Sequence, residues 1–280
     1  MRRFISIFSV SFFMLAFVVG SAATEAFGAG DDCKNYSWGS KESVAELREF
    51  KLPATGRIAV DAGKNGGISV KGGDVGEVQL RACVTASGDS AAEAQGVLSS
   101  IRINTSGTIS AEGPADGKGW AVSFSLVVPR NTDLELNAKN GGIAISGVES
   151  NIEFETVNGG VALSNLGGSV RGRTTNGGVS VKLDGQSWRG NGLDVLTTNG
   201  GVSLKLPATY AANIETGTVN GGFKSDITEL NVTTEDVKGD WSRGSRAKQI
   251  NTSINGGGPT IRVKTTNGGI KISTAEDTKY

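Results

Sequence analysis

An Asn-Gly-Gly triplet flanked by alternating apolar residues recurs along this sequence and limits the folds that it can adopt. The segment 156–163 reads TVNGGVAL, and the segments 174–181, 197–204 and 265–272 read TTNGGVSV, TTNGGVSL and TTNGGIKI. Apolar residues occupy every second position on both sides of the triplet, which is the spacing of a β-strand with one buried face. Each copy therefore predicts two short strands joined by a glycine-rich corner.

The spacing of the triplets indicates how these strand pairs are arranged. From Asn140 onward, successive triplets are 18, 18, 23, 21, 35 and 12 residues apart. A period of 18 to 23 residues is the size of one solenoid coil, and a unit this small has to share its core with stacked neighbours. We therefore predict an all-β, β-solenoid (β-helix-like) fold. The predicted repeat corners are Asn140, Asn158, Asn176, Asn199, Asn220 and Asn267.

A meander of hairpins is the alternative arrangement, because Asn-Gly is also the strongest signal for a two-residue hairpin turn. The second glycine is almost as constant as the first, which favours a corner between stacked coils. An Asn at such a corner can adopt the left-handed conformation and hydrogen-bond neighbouring backbone. Stacked corners would then form a ladder of Asn side chains.

Charged residues at fixed distances from the triplets predict the register of the stack. If coils stack in register, Glu153 lies beside Arg171, Glu155 beside Arg173, and Arg171 beside Asp194 on the solvent face. Each such pair contributes at most ~1 kcal/mol. Glu153 and Glu155 could instead form the carboxylate pair of a glycoside hydrolase, but the salt-bridged face is the favoured interpretation.

The rest of the chain is divided into an N-terminal part, residues 24–130, and a repeat region, residues 131–280, which we expect to be continuous with it. A helix is predicted over 91–100, because Ser90 is a suitable N-cap and Glu93 completes a capping box. Ser43–Phe50 is interpreted as a short helix or an irregular lead-in. The charged insertion 227–249 is predicted to project from the stack as a loop.

The first 23 residues predict a signal peptide. Arg2 and Arg3 precede an apolar run, Phe4–Val19, and small residues follow at 20–23. The run is shorter than the ~20 residues that cross a bilayer, which favours cleavage over a retained anchor. We therefore expect an exported protein without a membrane span after cleavage, located in the periplasm, at the cell surface or outside the cell.

The only two cysteines, Cys33 and Cys83, predict one disulfide in an oxidising compartment. Such a bond would close a loop of about 50 residues and stabilise the fold by ~3–4 kcal/mol. Two free thiols are the alternative. A structural zinc site is not expected from two cysteines without histidine.

Composition excludes several other functions. The chain has no histidine, which rules out a Ser-His-Asp triad and a Cys-His pair, and no phosphate-binding loop is present. Balanced charge, with 28 basic and 28 acidic residues, and 6% aromatic content argue against a nucleic-acid partner. No cofactor or metal site is predicted. Ser245 and Lys248 fit an S-x-x-K pattern, but the motifs that accompany it in serine acyl enzymes are absent.

The segment 121–145, AVSFSLVVPRNTDLELNAKNGGIAI, and the TTNGGVSV units after it resemble the bacterial "putative adhesin" β-strand-repeat family, a domain of unknown function. The resemblance covers roughly residues 121–273, and less clearly 58–110. It implies an exported, β-helical, non-enzymatic protein and carries over no catalytic residue.

We therefore predict an exported, non-enzymatic β-solenoid with an adhesin-like interaction surface for a glycan, a cell wall or another protein. The alternatives are a carbohydrate-active β-helix enzyme and a structural protein of envelope assembly. A groove lined by several carboxylates and aromatics would favour the enzyme. Isolated Trp188 and Trp241 on a flat polar face would favour binding, and an uncapped last coil after Ile272 would favour assembly. The sequence makes no prediction of oligomeric state.

Overall fold

A computed structural model describes residue 33 and residues 41–115, 119–227, 230, 233–236 and 246–275. The predicted signal peptide, Trp241, Ser245 and residues 276–280 lie outside these described residues. Strands make up most of the described chain, as expected from the alternating sequence.

Seven strands and one helix precede the regular repeats. They are β1 (Glu42–Pro53), β2 (Arg57–Asp61), β3 (Ile68–Gly73), β4 (Glu77–Gly88), α1 (Ala91–Ser100), β5 (Arg102–Asn104), β6 (Thr108–Glu112) and β7 (Trp120–Pro129).

Ten strands form the regular repeats. They are β8 (Asp133–Ala138), β9 (Ile143–Ser146), β10 (Glu149–Asn158), β11 (Val161–Ser164), β12 (Gly167–Asn176), β13 (Val179–Lys182), β14 (Gly192–Asn199), β15 (Val202–Leu206), β16 (Ala212–Asn220) and β17 (Phe223–Ser225). The C-terminal strands are β18 (Thr233–Asp236), β19 (Arg246–Ile254), β20 (Thr260–Asn267) and β21 (Ile270–Thr274).

These strands form two sheets. The ten-stranded sheet has the order β1-β4-β7-β3-β9-β11-β13-β15-β21-β17, and the eleven-stranded sheet has the order β18-β19-β16-β20-β14-β12-β10-β8-β2-β6-β5. The repeat strands pair in parallel with the equivalent strands of neighbouring repeats, for example Ile152 with Val170 and Val161 with Val179. Inward apolar side chains of both sheets belong to one core cluster.

Each repeat triplet joins strands of different sheets. Asn158, for example, ends β10 in the eleven-stranded sheet, and Val161 begins β11 in the ten-stranded sheet. A hairpin would instead pair these two strands with each other in one sheet. The repeat triplets are therefore corners, and the hairpin alternative is wrong for them.

The repeats do not stack in the order of the sequence. β20 lies between β14 and β16, and β21 lies between β15 and β17, so the last repeat is inserted between two earlier ones. The strand that contains Ile272 is not an open edge, because β21 has a neighbour on both sides, so the observation that would have favoured assembly is not made there. In the ten-stranded sheet the edge at this end is β17.

Two other sequence interpretations are corrected. Residues 43–50 lie in strand β1, which pairs with β4 over twelve residues. Val44, Phe50 and Leu52 pack against the core, and this long-range pairing outweighs local helix propensity. The insertion 227–249 is not all loop, because β18 pairs with β19 and β19 extends the eleven-stranded sheet beside β16.

The helix α1 spans the predicted residues. The Ser90 hydroxyl accepts a hydrogen bond from the Glu93 backbone N–H at 3.2 Å. The Glu93 carboxylate accepts from the backbone N–H of Asp89, at 2.8 Å, rather than from that of Ser90. The helix packs on β4 and β1 through its buried residues Ala94 and Leu98.

Candidate functional site

The asparagines of the repeat corners form one ladder along the stack. The side-chain amide of Asn158 donates to Asn140 and that of Asn176 to Asn158, both at 2.8 Å. The ladder continues in spatial order through Asn199, Asn267 and Asn220, with donor–acceptor distances of 2.9, 2.8 and 2.7 Å. None of these residues has a positive φ, so the left-handed conformation expected at the corner does not occur there.

Asn255 does not join the ladder, although it also begins an Asn-Gly-Gly triplet. It has a φ of 47°, and its amide donates to the carbonyls of Ala208 and Tyr210. This copy of the motif forms a separate turn between β19 and β20, which is why its spacing to Asn267 is irregular.

The first glycine of each ladder triplet lies too close to its neighbour to carry a side chain. A Cβ added to Gly159 would lie 2.0 Å from the carbonyl oxygen of Gly141, and one added to Gly177 would lie 2.0 Å from that of Gly159. The second glycine is less confined, because a Cβ at Gly160 would be 3.6 Å from its nearest atom. Close backbone approach, rather than turn geometry, therefore explains the first glycine.

A column of threonines two residues before each triplet supports the corners. The buried hydroxyl of Thr156 donates to the Gly141 carbonyl at 2.8 Å, and that of Thr174 donates to the Gly159 carbonyl at 2.8 Å. The same contact recurs at Thr197, Thr265 and Thr218. Ladder, glycines and threonines thus have structural roles, and ligand contacts must be sought on the outer faces.

A concave feature among the described residues lies on the outer face of the eleven-stranded sheet. We call it the charged groove, and its volume is about 340 Å³. Its polar and exposed lining residues are Glu135, Asn137, Glu153, Glu155, Arg171, Arg173, Asp194 and Leu196.

The register of the groove strands is the predicted one. Glu153 pairs in register with Arg171, Glu155 with Arg173, and Arg171 with Asp194. Only one of these three pairs is an ion pair, however, with Arg173 and Glu155 2.8 Å apart. Within the described residues, Arg171 forms no ion pair with Glu153 or Asp194. Neighbouring position in the sheet therefore does not ensure contact between long side chains.

Arginines from more distant parts of the chain hold two other groove carboxylates. Arg57 lies 2.6 Å from Glu135. Arg262 of the inserted repeat lies 3.0 Å from Asp194 and 2.7 Å from Glu215. The hydrogen bond from Arg262 holds the pKa of the Glu215 carboxyl below its usual range. The position of Arg262 beside Asp194 was not predicted, because the insertion of β20 next to β14 is not apparent from local spacing.

Phe154 and Gly172 form the floor of the groove. Phe154 points inward and is 5% exposed, and its ring fills the space that a side chain at Gly172 would need. Leu196, by contrast, points outward and is 46% exposed. The groove therefore combines charged side chains with one exposed apolar side chain.

Trp188 does not lie exposed on a flat polar face, the position that would have favoured binding. Trp188 is 4% exposed, and its indole N–H donates to the Gly168 carbonyl at 3.0 Å, so its role is structural. Cys33 and Cys83 form a disulfide that joins residue 33 to strand β4. Among the described residues, no helix has the length and apolarity of a membrane span, and no cluster of acidic or cysteine residues is arranged to hold a metal ion.

Two sheets whose repeat strands pair in parallel and in register, and which share one core, define an all-β repeat protein. The family model named Toastrack DUF4097 matches residues 49–273, and the chain therefore belongs to the Toastrack DUF4097 family. The match begins within β1, so it covers most of the N-terminal part as well as residues 121–273, where the sequence resemblance is clearest. No curated protein matches the chain in sequence.

Several solved structures are similar in fold at low identity. A "putative cell adhesion protein" from Clostridium sporogenes has 10% identity and a TM-score of 0.42, with 83% of this chain and 100% of that chain covered. A "putative adhesin" from Bacteroides fragilis has 11% identity and a TM-score of 0.33, with 83% and 97% covered. A "putative lipid binding protein" from Parabacteroides distasonis has 12% identity and a TM-score of 0.30, with the same coverage.

Proposed function

We propose that this protein is an exported, non-enzymatic β-solenoid whose charged groove is an adhesin-like interaction surface. The parallel register, the repeat period and the corners between two sheets support the solenoid. The Cys33–Cys83 disulfide supports export, because such bonds persist in oxidising compartments. Its location would be the periplasm, the cell surface or the medium.

The observation that carries this proposal is the unsatisfied charge in the groove. Glu153 and Arg171 are neighbours on β10 and β12, yet they form no ion pair with each other. Their acceptor and donor atoms are available to a ligand at little cost, because no salt bridge has to be broken. Leu196 offers an apolar contact on the next strand, β14. This combination suits a glycan, which has both hydroxyl groups and apolar ring faces, or a polar protein surface.

A glycan array and a cell-wall pull-down test this function with the full chain. We expect saturable binding that weakens at least tenfold in a Glu153→Gln/Arg171→Gln double variant. The matched control is Glu77→Gln/Lys51→Gln, which removes one charge pair from the antiparallel strands β1 and β4 and should leave binding unchanged. Absence of saturable binding in both assays, or equal loss in both variants, would overturn the proposal.

A carbohydrate-active enzyme is the second candidate, because four carboxylates line the same groove: Glu135, Glu153, Glu155 and Asp194. Three of them are held by arginines in ion pairs, and the only aromatic residue of the lining, Phe154, is buried beneath it. These contacts favour binding over hydrolysis.

Release of reducing ends from polysaccharides separates the two functions. Non-enzymatic binding predicts no release above a buffer blank over a day of incubation. Release by the wild type that the Glu153→Gln variant abolishes would establish the enzyme and refute the first proposal.

A further inference from the structure

The outer face of the ten-stranded sheet has a different charge pattern from the groove. Seven consecutive strands, β3-β9-β11-β13-β15-β21-β17, contain no aspartate or glutamate, and their outward positions carry serine, alanine, glycine and lysine. Paired positions in the groove, by contrast, include the opposite charges Glu153–Arg171 and Arg171–Asp194 as well as the like-charged pair of Glu153 and Glu135. The two sheets of a chain with balanced total charge therefore present different electrostatic surfaces.

Lysines are concentrated at one end of the outer face that these seven strands form. The last four strands, β13, β15, β21 and β17, each carry one exposed lysine. We call these residues the lysine track: Lys182, Lys205, Lys271 and Lys224. Lys182 pairs in register with Lys205, and Lys271 with Lys224. Between these pairs Lys271 lies opposite Ser203, so the second pair is offset from the first by two residues along the strands. Because neighbouring strands are about 4.8 Å apart, the track extends about 14 Å along the stack.

Repulsion within the lysine track lowers the stability of the folded chain when no ligand is bound. Like charges at directly paired positions repel each other. Within the described residues, no acidic side chain forms an ion pair with a lysine of the track. The acidic residues that follow β13 and β17 have other neighbours: Asp184 lies near Arg189, and Asp226 accepts from the backbone N–H of Thr274. An anionic ligand would relieve this repulsion.

The shape of the face indicates which anion fits. One lysine per strand on four successive strands makes an extended, staggered row rather than a compact cluster, so an extended chain of charges can meet all four. Among the described residues, no large apolar side chain is exposed beside the track to enter a lipid interface. No aromatic side chain of this described part is exposed there to stack on nucleic-acid bases. Small serine and glycine residues beside the track let a bulky polymer approach the backbone.

We propose that the lysine track binds a linear acidic polysaccharide that lies along the stack axis. This site is on the other sheet from the charged groove, so it does not depend on the function proposed above. The interaction is electrostatic, and binding should weaken as salt screens the charges.

Binding of the full chain to immobilised polygalacturonate, a linear carboxylate polymer, tests the proposal. We expect saturable binding that weakens roughly tenfold or more between 50 and 300 mM salt, as expected for a ligand held by several charge contacts. Neutral dextran should not bind. Substituting all four lysines of the track by glutamine should weaken binding at least tenfold at low salt.

A control variant removes the same total charge elsewhere. It carries glutamine at four exposed basic residues outside these seven strands and the groove: Lys41, Lys51, Arg102 and Lys139. Its binding should stay within twofold of the wild type. The track variant should also unfold at an equal or higher temperature than the wild type, because the substitutions remove repulsion. Equal loss in both variants, or no binding to polygalacturonate, would overturn the proposal. Preferential binding to phosphatidylglycerol vesicles would overturn it in favour of a membrane surface.

Discussion

The ring of Phe154 occupies the place of the missing side chain at Gly172. The two residues are paired in register on β10 and β12, and a Cβ at Gly172 would lie 2.2 Å from the ring atom Cζ of Phe154. Gly172 interrupts the apolar run of Leu136, Phe154 and Val195 at equivalent positions in the sequence, and the structure shows that its neighbour fills the gap. One large and one absent side chain thus share the volume of two medium ones.

This relationship predicts a compensating pair of substitutions. Gly172→Val should lower the free energy of unfolding by about 3 kcal/mol, because the buried ring has no free space to enter. In a Phe154→Val background the same substitution should cost much less, since two valines restore the volume of the column. Urea unfolding of the four proteins in this cycle measures the coupling. Additive effects would show that the ring and the glycine do not share space.

The two glycines of a triplet should differ in their tolerance of alanine. Gly159→Ala should destabilise the fold by about 3 kcal/mol or more, because its Cβ would lie 2.0 Å from the Gly141 carbonyl. Gly160→Ala is the matched control and should cost no more than about 1 kcal/mol, since its Cβ has ordinary contact distances. Thermal unfolding of both variants tests the difference, and equal destabilisation would contradict the steric explanation.

The buried threonine column should contribute through its hydroxyl groups. Thr156→Val preserves shape but removes the hydrogen bond to the Gly141 carbonyl, which should cost about 1 kcal/mol. Thr198 is exposed and one residue before its triplet, so Thr198→Val is the control and should have little effect. Chemical unfolding of the two variants measures both values. A neutral Thr156→Val variant would show that the hydroxyl does not hold the corner.

Ion pairs on the groove face should couple only where the side chains meet. A double-mutant cycle with Arg173→Glu and Glu155→Arg should give a small favourable coupling that weakens as salt is added, because these exposed groups are 2.8 Å apart. The same cycle with Arg171→Glu and Glu153→Arg should give a smaller value. Equal coupling in the two cycles would indicate that register alone sets the interaction.

Stability should fall in acid partly through Asp133. Its carboxylate accepts hydrogen bonds from the Ser150 hydroxyl and from the Asn151 backbone and side chain, and these bonds lower its pKa. A carboxyl with a lowered pKa stabilises the fold fully above its unfolded-state pKa, near 4. That contribution is lost as the pH falls through the lower folded-state value.

The Asp133→Asn variant provides the test. Its free energy of unfolding should be lower than that of the wild type at pH 6, and the difference should shrink between about pH 4 and pH 2. A difference that stays constant over this range would mean that Asp133 does not titrate differently in the folded and unfolded states.

Local patterns in the sequence were sufficient for the elements that repeat. The period-2 alternation around Asn158 predicted strands β10 and β11, and equal spacing predicted that Glu153 lies beside Arg171. The capping residues Ser90 and Glu93 predicted α1. These predictions succeed because strand alternation and helix capping depend on residues that are close together in the chain.

The charged groove was only partly predictable. Its central strands and their register follow from spacing, but the contact of Arg262 with Asp194 brings together residues 68 positions apart. Residues 43–50 show the same limit, because their strand exists only through pairing with β4. In both places a partner distant in sequence decides the structure.

The sequence by itself determined the repeat unit: its strands, its corner and its register with an equivalent copy. Only the tertiary structure decided which copies are neighbours, and it placed β20 and β21 between β14–β15 and β16–β17. The physical reason is that the repeats from Asn158 onward in the ladder offer the same asparagine, glycine and threonine columns to either side. Equivalent edges make local patterns compatible with several stacking orders, and the packing of the whole chain selects one.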